Sequence, residues 1–365
     1  MTASVALIGA NGHGGWHRRR IAELEAAGRV RLVALADLQP VEGATVPVYA
    51  SHRDLLATER PDVVVICTPP HTHLGIAVDA LAAGCDVLLE KPPVRTLSEH
   101  DALLAAVRAS GRACQVGFQA LGSAASAELN AAIRDGALGT VTGIAAVASW
   151  RRDDAYYSRA KWAGRRTVGG LPVVDGVLVN PVAHALMQGL VAASAAGAGA
   201  PERVEVERYR TRPIEVDDTA FARITFGGGL RMTIAATLAG EEFIPGEVIV
   251  TGTAGRADLE YPTDRLALPG DAVRREVPGR TDLLANLLDH RADPARVPLL
   301  VPLAATAGFT AVVEAVTAPE PAFVEAESVG DGPGRIQVIK GINAVLREVA
   351  ETGLLPSEAG VSWAR

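Results

Sequence analysis

The sequence contains very little lysine. Of its 35 basic Lys and Arg residues, only Lys91, Lys161 and Lys340 are lysines, and the other 32 are arginines. A coding preference for arginine explains the scarcity, and chance is one explanation for where the lysines fall. Arginine is nevertheless a poor substitute wherever a compact ammonium must meet one small group, because the guanidinium is broader and stays charged. The scarcity therefore marks Lys91 as a candidate functional residue.

Cysteine is scarce, and long apolar runs and excess positive charge are missing. Cys67, Cys85 and Cys114 lie in or beside apolar segments without C-x-x-C spacing, so we expect buried thiols in a reducing compartment rather than disulfides. No apolar run approaches about 18 residues, and no basic leader precedes the first one. A net charge of −7 argues against nucleic-acid and membrane partners. We expect a cytoplasmic protein, in which the basic run at residues 17–20 is a solvated helix face.

The first part of the chain alternates strand-like and helix-like segments. This pattern predicts an α/β fold with a doubly wound parallel sheet and helices on both faces. The predicted strands are Val5–Ile8, Val30–Ala36, Val46–Ala50, Val63–Cys67, Val87–Glu90 and Cys114–Phe118. The predicted helices are Trp16–Ala27, Arg53–Ala57, His73–Ala83 and Ser98–Ala109.

The pattern changes after Phe118, where longer alternating strands joined by short turns predict a second, α+β domain. We expect it to contain a large mixed, mainly antiparallel open sheet. Its predicted strands are Val141–Trp150, Arg203–Arg210, Ala220–Phe226, Leu230–Leu238 and Glu247–Gly252. Its predicted helices are Ser123–Arg134, Thr281–His290, Leu303–Val316 and Ile336–Glu351. The predicted domains are residues 1–120, which bind a dinucleotide, and residues 121–365, which bind substrate and oligomerise.

A glycine-rich loop joins the first predicted strand to the first helix. Glycines let the backbone turn tightly and approach a pyrophosphate, while the following helix N-terminus offers free N–H groups. In the G-x-G-x-x-G pattern, Asn11 stands where the second glycine is expected. The candidate cofactor-binding residues of this loop are Gly9, Asn11, Gly12, His13 and Gly14.

Asp37 follows the second predicted strand, 23 residues after Gly14. A carboxylate at this position binds a ribose 2′-hydroxyl and repels a 2′-phosphate, which favours NAD over NADP. A helix cap or a turn residue is the alternative.

Three motifs in the first domain occur together in order and spacing. They are Thr68-Pro-Pro-His-Thr-His73, Ala80-Leu-Ala-Ala-Gly84 and Val87-Leu-Leu-Glu-Lys-Pro92. With them the chain resembles the Gfo/Idh/MocA family of nicotinamide-dependent oxidoreductases, from the first strand to about Phe118 and again near Trp162. The resemblance implies a Rossmann domain with Lys91 beside the nicotinamide and the reacting carbinol, and a cis bond before Pro92. It also implies a cofactor cleft lined by Thr68, Pro69, His73 and Glu90.

The second domain contains a counterpart to the family's active-site helix, Asp175-Gly-Val-Leu-Val-Asn180-Pro-Val-Ala-His184. The resemblance gives His184 the general acid/base position; a core or capping histidine is the alternative. Asn180, the third candidate catalytic residue beside Lys91 and His184, stands where the family commonly has Asp and cannot ionise. Its four-residue spacing from His184 predicts one helix face, with Pro181 as the first helical residue. Asp175 is either a substitute carboxylate or a turn residue.

The segment before this helix is rich in aromatic and hydrogen-bonding groups. Such a loop suits a polyhydroxylated ligand, although a solvated loop with two anchoring aromatics is an equal alternative. The candidate substrate-binding residues are Gln119, Tyr156, Trp162, Arg165 and Asp175.

The resulting hypothesis is reversible hydride transfer between NAD and a carbinol or ketone of a sugar, inositol or related polyol. His71 and His73 are too close to each other, and too far from the carboxylate and thiol groups that would complete a metal site, so no metal is expected. The resemblance suggests a homodimer or homotetramer. The alternatives are a non-catalytic NAD/sugar sensor, and different chemistry on the same fold such as imine reduction or NAD-assisted glycoside cleavage.

Overall fold

The structure, a computed structural model, describes residues 2–173, 175–317 and 320–364. It forms two compact units. The first contains the chain up to Gln119 together with Thr281–Thr310, and the second contains Ala120–Arg280 together with the chain from Ala311 onward.

The first unit is built on a six-stranded parallel sheet of order β3-β2-β1-β4-β5-β6, which confirms the predicted doubly wound fold. The strands are β1 (Ala3–Ile8), β2 (Val30–Ala36), β3 (Val48–Tyr49), β4 (Val63–Ile66), β5 (Asp86–Leu89) and β6 (Cys114–Val116). The helices between them are α1 (Gly14–Ala26), α2 (His52–Glu59), α3 (His73–Ala82) and α4 (Leu97–Ser110). β4 and β5 are buried along their whole length, which explains the continuous apolar sequence of β4 and of β5 after Asp86.

The second unit is built on a nine-stranded sheet of order β16-β15-β14-β13-β7-β12-β11-β10-β17. Most neighbouring strands are antiparallel, but β12 pairs with β7 and β10 with β17 in parallel, so the predicted mixed sheet is confirmed. The strands are β7 (Val141–Arg151), β10 (Pro201–Arg210), β11 (Thr219–Phe226), β12 (Arg231–Thr237), β13 (Ala239–Gly252), β14 (Gly255–Glu260), β15 (Arg265–Ala267), β16 (Arg275–Glu276) and β17 (Ala322–Phe323).

Two short hairpins and three helices also belong to the second unit. The hairpins are β8 (Thr167–Val168) with β9 (Leu171–Pro172), and β18 (Glu327–Val329) with β19 (Ile336–Val338). The helices are α5 (Ala124–Arg134), α6 (Asp154–Ser158) and α7 (Ala183–Ala195). The prediction missed the first half of β13, where Pro245-Gly246 interrupts the alternation and the pairing with β7 shifts register.

The segment Thr281–Thr310 packs with the first unit, although the prediction placed it in the second domain. It contains α8 (Leu283–Ala292), the 3-10 turn Leu303–Thr306 and the beginning of α9 (Ala307–Thr317). The Gln115 amide of β6 donates to the carbonyl of Leu283, and the ring of His100 contacts the carbonyl of Leu303. These bonds join residues far apart in sequence, which periodicity cannot reveal.

The last helix, α10 (Ile342–Thr352), packs on β7, β12 and β13. It begins after Gly341, whose φ of 79° interrupts the helix predicted from Ile336, and the residues before it form β19 instead. Its buried face joins a cluster with Val147 and Ala235. Met232 and Ile144 meet α7 at Gly189, and alternation along β7 and β12 therefore puts α7 and α10 on opposite faces of the sheet.

Candidate active site

The glycine-rich loop leaves no room for side chains at two positions. Gly9 has a φ of 87°, and a Cβ atom there would lie 2.5 Å from the carbonyl oxygen of Cys67. A Cβ on Gly14 would lie 1.9 Å from the carbonyl oxygen of Gly9. Gly12 also has a positive φ, of 56°. The loop thus turns tightly and leads into the N-terminus of α1, the arrangement that binds a pyrophosphate.

Asp37 lies at the end of β2, beside this loop. Its Oδ2 atom accepts a hydrogen bond from the backbone N–H of Asn11 (3.0 Å), and its Oδ1 atom accepts one from that of Gln39 (3.0 Å). The side chain amide of Asn11 donates to the carbonyl of Pro40 (3.3 Å). Asp37 therefore has the turn role that the sequence left open, and its carboxylate is bonded to the glycine-rich loop.

A buried carboxylate, Glu90, organises the end of β5. Its Oε1 atom accepts hydrogen bonds from His17 Nε2 (2.8 Å) and Gln119 Nε2 (2.8 Å), and its Oε2 atom accepts one from the Lys91 backbone N–H (3.1 Å). His13 Nε2 lies 3.7 Å from Oε1. Burial acts to raise the pKa of the Glu90 carboxyl, but His13 and His17 outweigh it and hold that pKa well below its usual range.

The interpretation of residues 17–20 as a solvated face was wrong for His17, which is only 1% exposed. His17 shares the buried face of α1 with Ile21 and Leu24, at spacings of four and seven residues. That spacing is the signal that could have found it. Arg19 remains exposed, as predicted for this face.

Residues of the Thr-Pro motif support the Lys91–Pro92 peptide bond, which is cis. The ring of His73 is buried between two carbonyls, with Nδ1 2.9 Å from the oxygen of Pro92 and Nε2 2.8 Å from that of Thr68. Burial lowers the pKa of His73, so the neutral ring donates to one carbonyl at a time. Pro69 is exposed. His73 thus ties the Thr68 segment to the backbone after Lys91.

In the second unit, Asp175 holds the turn that precedes α7. Its Oδ2 atom accepts a hydrogen bond from the backbone N–H of Gly164 (2.9 Å), and its Oδ1 atom accepts one from Asn180 Nδ2 (3.2 Å). α7 begins at Ala183 rather than at the expected Pro181, so Asn180 belongs to the preceding turn. His184 lies in the first turn of α7.

His184 has Tyr261 as an aromatic neighbour, with ring centroids 6.4 Å apart. Burial raises the pKa of the Tyr261 phenol, which keeps this hydroxyl protonated. The ring of His184 is half-buried. The helix therefore presents an imidazole beside a neutral phenol.

An ion pair that the sequence did not suggest supports the same turn. Asp217 Oδ2 accepts a hydrogen bond from the Val177 backbone N–H (2.8 Å), and its Oδ1 atom accepts one from Arg208 Nε (2.7 Å). A Cβ atom on Gly176 would lie 2.9 Å from Asp217 Oδ1. The Asp217-Asp218 pair before an apolar strand was the available signal, because buried carboxylates need partners.

Three of the remaining substrate candidates, Tyr156, Trp162 and Arg165, lie in the loop that contains α6. Tyr156 is on α6 and contacts the guanidinium of Arg159, which also lies over the ring of Trp162. Arg165 is exposed and forms an ion pair with Glu215 (2.8 Å). Gln119, the other candidate, lies in the first unit on Glu90.

Two family models match the chain. The first, described as "Oxidoreductase family, NAD-binding Rossmann fold", matches residues 3–118, and the second, "GFO/IDH/MocA C-terminal domain", matches residues 126–258. Together these ranges cover more than half of the sequence.

The chain belongs to the Gfo/Idh/MocA oxidoreductase family. Its first unit contains the family's NAD-binding Rossmann domain, which the first model matches over residues 3–118.

Curated members of the Gfo/Idh/MocA family are similar over part of their length. Inositol 2-dehydrogenase of Ralstonia nicotianae is 33% identical over 150 residues, which make up 38% of this chain and 43% of that protein. Levoglucosan dehydrogenase of Pseudarthrobacter phenanthrenivorans is 27% identical over 198 residues, 49% of this chain and 50% of that protein. The chain thus spans about half or less of the length of these relatives.

Solved structures of dehydrogenases with this fold are similar over most of the chain. WlbA dehydrogenase from Bordetella pertussis, in complex with NADH and UDP-GlcNAcA, has a TM-score of 0.71 at 20% identity and covers 87% of this chain and 95% of its own. Levoglucosan dehydrogenase in complex with NADH has a TM-score of 0.71 at 20% identity, covering 87% and 96%. At such identities the similarity shows the Gfo/Idh/MocA fold.

Within the described residues, one group of side chains in this family member has ligand atoms close enough for a metal ion. It consists of His13, His17 and Glu90, with ligand atoms within 4.8 Å of one another. The hydrogen bond between His17 and Glu90 already accounts for the closest approach, 2.8 Å. Over the same described residues, no helix is both long and apolar enough to cross a membrane.

Proposed function

We propose that the protein is an NAD-dependent dehydrogenase or reductase. It would transfer a hydride reversibly between the cofactor and a carbinol or ketone of a sugar, inositol or related polyol. The observation that carries this proposal is the support of Lys91. Its backbone N–H is bound by the buried carboxylate of Glu90, and it stands directly after β5, at the edge of the sheet where ligands of open α/β sheets bind.

The first unit would hold the dinucleotide. Gly9, Gly12 and Gly14 allow the pyrophosphate to approach the N-terminus of α1, and Asp37 would accept hydrogen bonds from a ribose hydroxyl, which favours NAD. Thr68 would line the cofactor cleft beside this loop. When bound, NAD supplies the hydride acceptor or donor.

Lys91 and His184 are assigned different tasks on the reacting hydroxyl. Lys91 would hydrogen-bond the oxygen and stabilise its developing negative charge, which needs a compact cation at a fixed point. His184 would take the hydroxyl proton in oxidation and return it in reduction, since imidazole acts in both directions near its ordinary pKa.

Asn180 stands four residues before His184, at a position where the family commonly has Asp. It cannot ionise, and its amide donates to Asp175 Oδ1 (3.2 Å). Asp175 in turn holds Gly164 through its other oxygen (2.9 Å). The carboxylate is therefore committed to the turn, and the proposal gives the proton exchange to His184 alone, with Asn180 positioning the turn before α7.

A substrate screen with two lysine variants tests the proposal. Sugars, inositols and glycosides are offered with NAD and with NADP, and reduced cofactor is followed by absorbance. Lys91→Ala should lower kcat at least about a hundredfold, as removal of an oxyanion donor does, while NADH binding stays within about twofold. Lys91→Arg should not restore activity, because the guanidinium is too broad.

The matched control is Lys340→Arg, the same substitution at an exposed lysine of the second unit. It should retain wild-type activity. A Lys91→Ala variant that turns over substrate at the wild-type rate contradicts the assignment. Tight NADH binding without turnover across the whole panel supports a sensor instead, and glycoside cleavage without net NADH formation supports NAD-assisted glycoside chemistry.

The proposal also includes a homodimer or homotetramer in the cytoplasm, acting on a small polyol without nucleic-acid or membrane partners. α10 occupies one face of the large sheet over β7, β12 and β13, so a partner copy would use another surface of the second unit. Light scattering on the purified chain measures the number of copies.

A further inference from the structure

The segment at residues 151–166, in the loop before the α7 turn, carries a concentration of positive charge. It contains six basic and two acidic residues in a chain whose net charge is −7. Both acidic residues already bind groups other than the basic residues of this segment. Asp153 caps α6, and Asp154 forms ion pairs with Arg212 (3.0 Å) and Arg335 (2.8 Å). Neither carboxylate neutralises the basic residues of the segment.

Three of these cations, Arg152, Arg159 and Lys161, have no carboxylate within ion-pair distance across the ranges that the structure describes. Neighbouring Arg165 differs, because it pairs with Glu215 at 2.8 Å. Arg166 differs as well, with a carboxylate 3.7 Å away. Uncompensated cations that lie close together create a positive surface potential, which attracts an external anion.

Arg152 and Arg159 are stacked on aromatic rings. The guanidinium carbon of Arg159 lies 3.5 Å from the ring centroid of Tyr156 and 4.7 Å from that of Trp162. The carbon of Arg152 lies 5.2 Å from the Tyr156 ring and 5.0 Å from the Trp150 ring. We call these five residues the arginine–aromatic stack. Stacking fixes the guanidinium plane. Arg152 Nη1 donates to the carbonyl of Arg151 (3.0 Å) and Arg159 Nη1 to the carbonyl of Tyr156. The opposite edge of each guanidinium, Nε with Nη2, has the geometry to bind a carboxylate or phosphate bidentately.

The stack is electrically coupled to the turn that precedes α7. Burial raises the pKa of Tyr156, the charge of Asp175 raises it further, and Arg159 and Arg152 oppose the rise. Asp175 is also the hydrogen-bond partner of Asn180. The backbone N–H of Gly164, two residues after Trp162, donates to Asp175 Oδ2 (2.9 Å), so the segment that carries the stack is bonded to the turn before the helix carrying His184.

We infer that the substrate is an anionic sugar, whose carboxylate or phosphate group is bound by Arg152 and Arg159 of the arginine–aromatic stack. The inference rests on the proposed function and narrows its substrate class. Both oxygens of Asp175 already accept hydrogen bonds from Gly164 and Asn180, so this carboxylate does not occupy the two guanidinium groups.

Matched pairs of sugars test the inference. Each pair differs by one anionic group: glucose with glucuronate, glucose with glucose 6-phosphate, and inositol with inositol phosphate. We measure kcat/KM with NAD, and we measure binding of each compound to the NAD-loaded protein by calorimetry. The carboxylate and phosphate arms distinguish the two sources of the charge.

The anionic member of at least one pair should bind and turn over more efficiently than its neutral partner. Arg152→Gln/Arg159→Gln should lower its kcat/KM by about ten- to a hundredfold, the usual effect of removing hydrogen bonds to a charged group, and leave the neutral partner within about twofold. Arg152→Lys/Arg159→Lys should retain part of the preference, because the charge remains. Arg256→Gln/Arg265→Gln, which removes two exposed arginines of the same unit, should change neither compound.

Equal binding of both members in every pair, or an equal loss for both in the glutamine variant, overturns the inference. Binding distinguishes this failure from failure of the proposed function. Preferential binding of the anionic sugar without hydride transfer supports the inference and contradicts the dehydrogenase, whereas turnover of neutral sugars alone does the reverse. Retained NADH binding and circular dichroism show that the variants are folded.

Discussion

Replacing Glu90 by Gln tests whether one buried carboxylate supports the Lys91 segment. The side chain is 7% exposed and accepts hydrogen bonds from His17, Gln119 and the Lys91 backbone. Glutamine has nearly the same shape, but one of its two terminal atoms donates instead of accepting. At least one of the three bonded donors would then face another donor.

The expected loss of stability follows from the hydrogen bond that Glu90→Gln removes. A hydrogen bond to a charged group contributes about 1.5–3 kcal/mol. We therefore expect Glu90→Gln to destabilise the first unit by about that amount at pH 7. Because the Lys91 backbone N–H is one of the donors, we also expect kcat to fall by more than the affinity for NADH.

Hydrogen exchange measures the effect locally, without assuming that the two units unfold together. Amides of α1 and β5 should lose protection by roughly ten- to a hundredfold in the variant. The loss should depend on pH. Since the folded state holds the pKa of Glu90 well below its usual range, the carboxylate stabilises the fold above the unfolded pKa of about 4.3, and this contribution disappears as the pH falls through the folded pKa.

Glu23→Gln is the matched control, because it changes a carboxylate of α1 whose side chain is 64% exposed. An exposed ion pair contributes about 0–1 kcal/mol, so protection should change little. Equal protection of wild type and Glu90→Gln at pH 7 would refute the reasoning. So would a difference that persists unchanged well below pH 4.

One further substitution tests the glycine-rich loop of the first unit, and another tests the buried ion pair of the second unit. Gly14→Ala should weaken NADH binding at least about tenfold in a fluorescence titration, because its Cβ would lie 1.9 Å from the Gly9 carbonyl oxygen; Gly75→Ala, where a Cβ meets nothing, should bind normally. Arg208→Gln should destabilise the second unit by about 3–5 kcal/mol, because it leaves Asp217 buried without its cation. A shift below about 1 kcal/mol in urea unfolding would contradict the second expectation.

Local patterns predicted the features that depend on nearby residues. Thr96 caps α4: its hydroxyl accepts the backbone N–H of Glu99 at 3.1 Å, a bond that the spacing of Thr96-Leu-Ser-Glu99 favours. The apolar segments became the strands of both sheets, and Asn180 and Asp175 lie at the start of the segment leading to α7. In each case the determining residues are a few positions apart, so one sequence window contains the whole cause.

Features that join distant residues could not be predicted in the same way. Glu90 meets His17 from 73 positions away and Gln119 from 29 positions away. For the same reason, the sequence did not reveal that α8 packs within the first unit or that Asp217 binds the backbone of the turn before α7. Helical spacing marked His17 as buried, but nothing in the sequence specified its partner.

Lys91 shows where the two sources of information divide. The sequence by itself determined that a lysine follows a buried strand and precedes a proline, because scarcity, strand pattern and motif are local properties of the chain. Only the tertiary structure decided what supports it, because burial of the Glu90 carboxylate requires partners, and the partners are His17 of α1 and Gln119, which follows β6. The arginine–aromatic stack has the same origin. Sequence supplied its charges, and folding determined which of them remain without a carboxylate among the described residues.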